Sequence, residues 1–432
     1  MICIYSTHIT PRLRYIANLI FEEYSEEEVR FFSNAQDIPS GEIFINYSGT
    51  FFAKAFNIAP EGLLHEDHIR DTLPELPYER LPVIFKTKGE DLHYDVFAAC
   101  FFFLSRYEEY VIDDVDQHGR YHAERTIAWR AGYLETPLVN LWIEDFMKKL
   151  KSRFSEFVWS KPSYRFRSSM DIDNTWAYMH KPRWRLLAAT IRDKLKNDGN
   201  SIKERKAVLR RHQPDPFENY DEIIEIHKNR TPLCLVFWLM GDYARFDKNI
   251  PWWNKHQQEL IRRLSKHFDT GVHPSYKSGK SFRYMKKEKK RLENILNTKV
   301  SKSRQHYLRL KVPDTFRRLE KLGIKEDYSM GFPSYGGFRS GATFAYYPYD
   351  IENERPFSVK TFPVTIMDAT LKYHLNLKPD QAERTISNYI SLFREHGGDF
   401  IPVWHNESLS DNGVWKGWKK VYIGMLNKAS DS

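Results

Sequence analysis

The sequence predicts an α/β protein: a closed or nearly closed, about seven-stranded (β/α) barrel over residues 161–432, preceded by a smaller N-terminal α/β domain over residues 1–160. Three observations lead there. Apolar runs of strand length alternate with amphipathic stretches of helix length along the chain. The pattern changes near Lys161-Pro162, and the strand-like runs beyond it end in polar residues able to do chemistry. With 432 residues, 41% hydrophobic and 15% aromatic, the chain has material for more than one core, which excludes a disordered, fibrous or coiled-coil protein.

In the N-terminal part, MICIYS, GEIFINYS and LPVIFKT read as strands, and RLRYIANLIFEEY and PLVNLWIEDFMKKLKSRF as helices. YDVFAACFFFLSRYEEY has too many large apolar side chains for a surface helix and is expected in the interior. Arg106, Glu108 and Glu109 at its end read as a structural ion-pair cluster, because no nucleophile or metal ligand stands near them.

Past residue 160 the strand-like runs are YRFRSSMDID, TPLCLVFWLMGD, HFDTGVHPSY, KVSKSRQHYL, KEDYSMGF, FPVTIMDATL and DFIPVWHNE. NKHQQELIRRLSKHF, DTFRRLEKLG and PDQAERTISNYISLFREHG supply helices between them, and strand–helix alternation implies a parallel sheet. In such barrels the site lies at the carboxyl ends of the strands. This reading puts Asp171, Asp173, His273, His306, Asp368 and His405 there.

Charge and cysteine usage narrow the setting. The balance of 66 basic and 57 acidic residues gives +9, mild for this length. The densest basic run, Lys286, Lys287, Lys289, Lys290 and Arg291, is interleaved with Glu288 and Glu293 and reads as a solvated helix face. No nucleic-acid motif accompanies it, so a nucleic-acid partner is not expected. Cys3, Cys100 and Cys234 lack the spacing of a zinc ribbon or a disulfide scaffold. With no signal-like leader and no stretch of ~18 apolar residues, the expected setting is cytoplasmic, without a membrane span.

Asp171 and Asp173 in SMDIDN stand two apart at a strand end, where alternation turns both side chains to one face. Two close carboxylates repel; a cation resolves the conflict, as do the solvation or capping roles of an ordinary loop. His273 in DTGVHPSY follows a short strand and reads as a metal ligand or a hydrogen-bonded structural residue. Arg304 and His306 in SRQHYLR share a face, the first able to clamp a carboxylate and the second to complete a metal shell, unless both are surface residues. His405 in PVWHNES is a candidate general acid, since an imidazole titrates near ~6.5. Asp368 in VTIMDATL suits an orienting carboxylate behind it. Asp242, Tyr276, Trp404 and Arg339 are the substrate-binding candidates, with Trp238 and Tyr335 as further aromatics; core packing is the competing reading for each ring. Arg339 lies within GFPSYGGFRSGATF, read as a flexible active-site loop; no G-K-[ST] follows, so it is no nucleotide loop.

An early D-x-D after a strand, a central His-Pro-Ser, an arginine-bearing strand end and a late strand ending in histidine resemble the NodB-homology polysaccharide deacetylases, carbohydrate esterase family four, over residues 161–432. Residues 1–160 resemble, more weakly, the extra module that precedes such domains in some bacterial proteins. The resemblance implies a distorted, about seven-stranded (β/α) barrel and metal-dependent removal of an N- or O-acetyl group from a sugar of a bacterial glycan or its precursor, with Zn²⁺ as the expected cofactor. It implies Asp171 as base, Asp173 and His273 as ligands, Arg304 orienting the base and His405 as general acid; the chemistry of that step further calls for an oxyanion donor, expected from a backbone N–H near Tyr276. One departure stands out. The family's second histidine is missing, and Lys277 occupies that spacing. His306 is the favoured replacement; Ser275 with water, or a degraded site, are the others. The gap keeps open a catalytically silent glycan-binding or glycan-assembly protein.

Overall fold

The computed structural model describes residues 1–228 and 234–430, so Thr231, Pro232 and Leu233 of the run TPLCLVFWLMGD lie outside the described residues. In chain order the strands are β1 (Ile2–Tyr5), β2 (Val29–Phe32), β3 (Ile43–Tyr47), β4 (Phe56–Ile58), β5 (Tyr164–Phe166), β6 (Ser169–Ile172), β7 (Leu235–Leu239), β8 (Asp269–His273), β9 (Lys302–Ser303), β10 (Glu326–Met330), β11 (Tyr349–Asp350), β12 (Arg355–Pro356), β13 (Lys360–Pro363), β14 (Gly398–Phe400) and β15 (Val403–His405). Four form a parallel sheet in the order β2-β1-β3-β4. Seven form a second sheet, curled as a half-barrel, in the order β13-β10-β9-β8-β7-β6-β15.

The chain divides into two compact units. The first comprises Met1–Arg165, Leu310–Thr365 and Ser391–Phe400; the second comprises Phe166–Arg309, Ile366–Ile390 and the residues from Ile401 onward.

In the first unit, β1 leads into a helix, Pro11–Tyr24, whose start is written in the sequence. Thr10 caps it by accepting from the Leu13 N–H, and Pro11 takes the first helical position, where its missing N–H costs nothing. Its buried face carries Leu13, Ile16, Ala17, Ile20 and Phe21. The helix Val96–Leu104 is buried at every position, as its composition predicts, and begins on an Asp95 cap. A third helix, Leu138–Arg153, inserts Phe146 among Phe21, Phe56 and Phe97, with ring centroids 5.9, 5.5 and 5.7 Å apart and edges meeting faces. Each such pair adds about 0.5–1.5 kcal/mol beyond its burial.

Two local expectations change here. LPVIFKT forms no strand, only a single bridge between Lys86 and Tyr94. The strands β2 and β4 are four and three residues long, too short to show alternation in the sequence. Arg106, Glu108 and Glu109 do form a buried ion cluster, and Arg339 joins it: Arg106 reaches Glu108 at 2.7 Å and Glu109 at 2.8 Å, and Arg339 reaches Glu109 at 2.7 Å. Arg339 also donates to the carbonyls of Gly331 and Leu310. It is therefore a buried structural cation, not part of a mobile substrate loop.

In the second unit, β9, β8, β7, β6 and β15 lie side by side. Their register decides which side chains share a level. His405 of β15 lies opposite Asp171 of β6, Asp171 opposite Phe237 of β7, and Phe237 opposite Gly271 of β8. Parallel strands in register deliver their C-terminal residues to one level, so residues far apart in sequence meet at one edge. Among the described residues, no helix is long and apolar enough to cross a membrane.

Candidate metal centre

Asp171 ends in contact with a cation of the chain's own. Arg304 Nη1 donates to Asp171 Oδ1 at 2.8 Å and Arg304 Nη2 donates to Ser169 Oγ at 2.8 Å, while the guanidinium rests 4.4 Å from the Phe237 ring centroid. Arg304 is fully buried, so this charge is held by the carboxylate, the hydroxyl and the ring rather than by water. Asp171 Oδ2 remains on the other side, 3.7 Å from His273 Nε2.

Asp173 sits one pleat further, beyond the end of β6, with its side chain 28% exposed. Two imidazoles face it. His273 Nε2 lies 3.2 Å from Asp173 Oδ1, and His306 Nε2 lies 3.1 Å from Asp173 Oδ2. Each imidazole is turned by an acceptor at its other nitrogen: the Arg304 carbonyl at 2.5 Å from His273 Nδ1, and Asp247 Oδ1 at 2.9 Å from His306 Nδ1. Carbonyls and carboxylates only accept, so both Nδ1 atoms carry protons and both Nε2 atoms point at Asp173.

Charge follows from this packing. Burial would raise the Asp173 carboxyl, but His306 and His273 facing it hold it well below the usual carboxylate range. Burial would lower His306, yet Asp173 and Asp247 raise it from 6.5 to about 9.

His405 is the third imidazole at this edge, and its role differs. Its Nδ1 donates to Asp368 Oδ1 at 2.7 Å, and its backbone N–H donates to Asp368 Oδ2 at 2.8 Å. Asp368 is buried and follows a bridge between Met367 and Val403 rather than ending a strand. Against burial, Asp368 first and then Asp173 and Asp171 push His405 well above 6.5. Its Nε2 lies 3.8 Å from Asp173 Oδ2.

Asp173, His273 and His306 each offer one ligand atom within 4.8 Å of the others. One carboxylate oxygen and two imidazole nitrogens suit Zn²⁺ or a similar borderline divalent ion. Asp173 Oδ1 is buried and completes no hydrogen bond, as suits an atom whose partner is a cation. The residues fit the group. His306 stands beside His273, at 4.9 Å between ring centroids, whereas Lys277 extends over the Tyr284 ring at 4.3 Å.

Other sequence candidates fall elsewhere. Trp404 is 1% exposed and packs against Trp418 and Tyr422, with its indole N–H on Met425 Sδ. Alternation along β15 puts it on the face opposite His405, so it is core and not a sugar platform. Trp238 is likewise fully buried, and Tyr335, in the first unit, bonds Glu124. Asp242 is tied to Arg291 at 2.7 Å and Lys287 at 3.4 Å, which accounts for it as a surface ion pair. The Tyr276 N–H is committed to Asp247 Oδ1 at 2.9 Å and is not free for an oxyanion; the ring lies 4.3 Å from that of Phe246. Ser169, Phe237 and Asp247 are participants that the sequence alone does not single out, because each holds a functional group in place only through tertiary contact.

Residues 2–155 match a family model described as a family of unknown function, DUF7033. No curated protein matches the chain. Among solved structures, the chain is similar to a putative polysaccharide deacetylase from Mycobacterium smegmatis, at 12% identity and a TM-score of 0.41, covering 63% of this chain and 85% of that one. It is also similar to a mutant of a CE4-family pseudoenzyme with restored enzymatic activity, at 12% identity and a TM-score of 0.28, covering 62% of this chain and 65% of that one.

Proposed function

We propose that the chain is a metal-dependent carbohydrate deacetylase, removing an acetyl group from a sugar of a bacterial glycan or its precursor, with Zn²⁺ as cofactor. The observation that carries the reading is the convergence of Asp173, His273 and His306 beside a separate carboxylate–arginine pair and a separate histidine–carboxylate pair. Three ligands, a base and an acid at one sheet edge are the parts that acyl hydrolysis needs.

Asp173, His273 and His306 would hold the ion. The chemistry supplied by a bound divalent ion is polarisation of the acyl carbonyl and acidification of a water. Asp171 would take, at Oδ2, a proton from the water whose oxygen adds to the acyl carbon, because Oδ1 is occupied by Arg304. Arg304 keeps the carboxylate aimed by its hydrogen bond to Oδ1. His405 protonates the departing amine or alkoxide from Nε2, since Asp368 holds the Nδ1 proton in place.

Residues 1–160 belong in this proposal as an accessory domain. The three buried free thiols of Cys3, Cys100 and Cys234 support a reducing, cytoplasmic setting.

Acetate release from N-acetylated chito-oligosaccharides and from O-acetylated sugars by zinc-loaded protein tests the reading. Release above background is expected, falling about 10²–10⁴-fold in His405→Ala. Zinc-loaded protein that binds these glycans and releases no acetate would assign the chain instead as a silent glycan-binding member.

A further inference from the structure

Building on that reading, we propose that Asp247 is a positioning residue for the metal centre and substitutes for the geometry that the missing second histidine would have supplied. The carboxylate is 1% exposed. Its Oδ1 accepts from two donors at once, the Nδ1–H of His306 and the backbone N–H of Tyr276, both at 2.9 Å. One oxygen thus ties the segment after His273 to the imidazole that completes the ligand set. Asp247 Oδ2 is buried without a hydrogen-bond partner, so the carboxylate is spent on this one junction.

The loop carrying Asp247 is itself anchored. Asn249 Nδ2 donates to the carbonyls of Leu239, Gly241 and Ile250 at 3.3, 2.8 and 3.3 Å. Arg185 donates to the carbonyls of Asn249 and Lys248 at 2.9 and 2.6 Å. A fixed acceptor behind His306 selects the tautomer whose Nε2 lone pair faces Asp173, and it limits ring rotation. His306 opens a short 3₁₀ turn past the end of β9, and Asp247 supplies for its ring the acceptor that the Arg304 carbonyl supplies for His273.

Calorimetric titration of apo protein with Zn²⁺ tests this, alongside His306 tautomer shifts in ¹⁵N NMR recorded at a pH where the ring is neutral. Asp247→Ala is expected to weaken zinc binding by about 100-fold and to release the His306 tautomer, and Asp247→Asn, which keeps the Oδ1 acceptor without the charge, by about 10-fold. If Asp247→Ala fails to fold, Asp247→Asn decides alone. Either folded variant binding zinc as tightly as the wild type overturns the assignment of Asp247. Wild-type protein that takes up no zinc overturns the metal-centre reading itself, and this assignment with it.

Discussion

At the scale of single residues, the two aspartates of SMDIDN have separate partners, and this separation predicts separate phenotypes. Asp171 bonds Arg304, whereas Asp173 faces His273 and His306. Asp171→Asn is therefore expected to keep zinc and lose turnover by about 10²–10⁴-fold, and Asp173→Asn to lose both, as read by metal content and acetate release. His306 makes a second prediction through linkage. Its folded pKa, about 9, lies above the ordinary 6.5, so in zinc-free protein it contributes stability that is fully present below pH 6.5 and is lost as pH rises through about 9. The thermal midpoint of apo protein should fall across that window, and His306→Ala should flatten the fall. Zinc reverses the dependence, because Nε2 must shed its proton to bind, so zinc affinity should rise over the same range. Asp171, Asp173, His273 and His405 are legible in the sequence because a polar residue after a strand-like run is conspicuous. Asp247 is not: DYARFDKN offers it no pattern, and its place depends on anchors at Arg185 and Asn249.

At the scale of elements, in-register strands do the gathering, and a single glycine permits it. A Cβ at Gly271 would lie 2.4 Å from Phe237 Cε1, inside a contact that no side chain tolerates. Phe237 is fully buried under the Arg304 guanidinium, so it has no room to retreat without moving the Asp171 clamp. Gly271→Ala should cost about 1–3 kcal/mol of stability and reduce turnover together. Gly199, with nothing within 4 Å of its Cβ position, should accept alanine with neither effect. Element types are readable wherever caps and periodicity agree, as at Thr10 and Pro11. They are not where a run is short or double-sided: LPVIFKT has strand composition but no neighbour to pair with beyond one bridge. KVSKSRQHYL keeps only Lys302 and Ser303 as strand, and His306 begins a 3₁₀ turn in which Tyr307 adopts a positive φ of 61°.

At the scale of the whole molecule, the chain returns twice to its first unit. Val139 N–H bonds the Gly341 carbonyl, Asn140 exchanges bonds with Thr343, His396 bonds Glu144, and Arg339 completes the Arg106–Glu109 cluster. No local pattern in the sequence records these closures, since each joins residues some 200 or more positions apart. A fragment of residues 1–160 leaves Glu109 without Arg339, Asn140 without Thr343 and Glu144 without His396, and buried polar groups that lose such partners cost about 1–3 kcal/mol each. Its circular dichroism and amide spectra should show loss of native structure, whereas the full chain unfolds cooperatively. The central claim concerns the other unit, and anomalous scattering from zinc-soaked crystals tests it most directly. One peak bounded by Asp173, His273 and His306 is predicted; ordered side chains at those three positions with no peak between them, or with Lys277 drawn into that place, would contradict it.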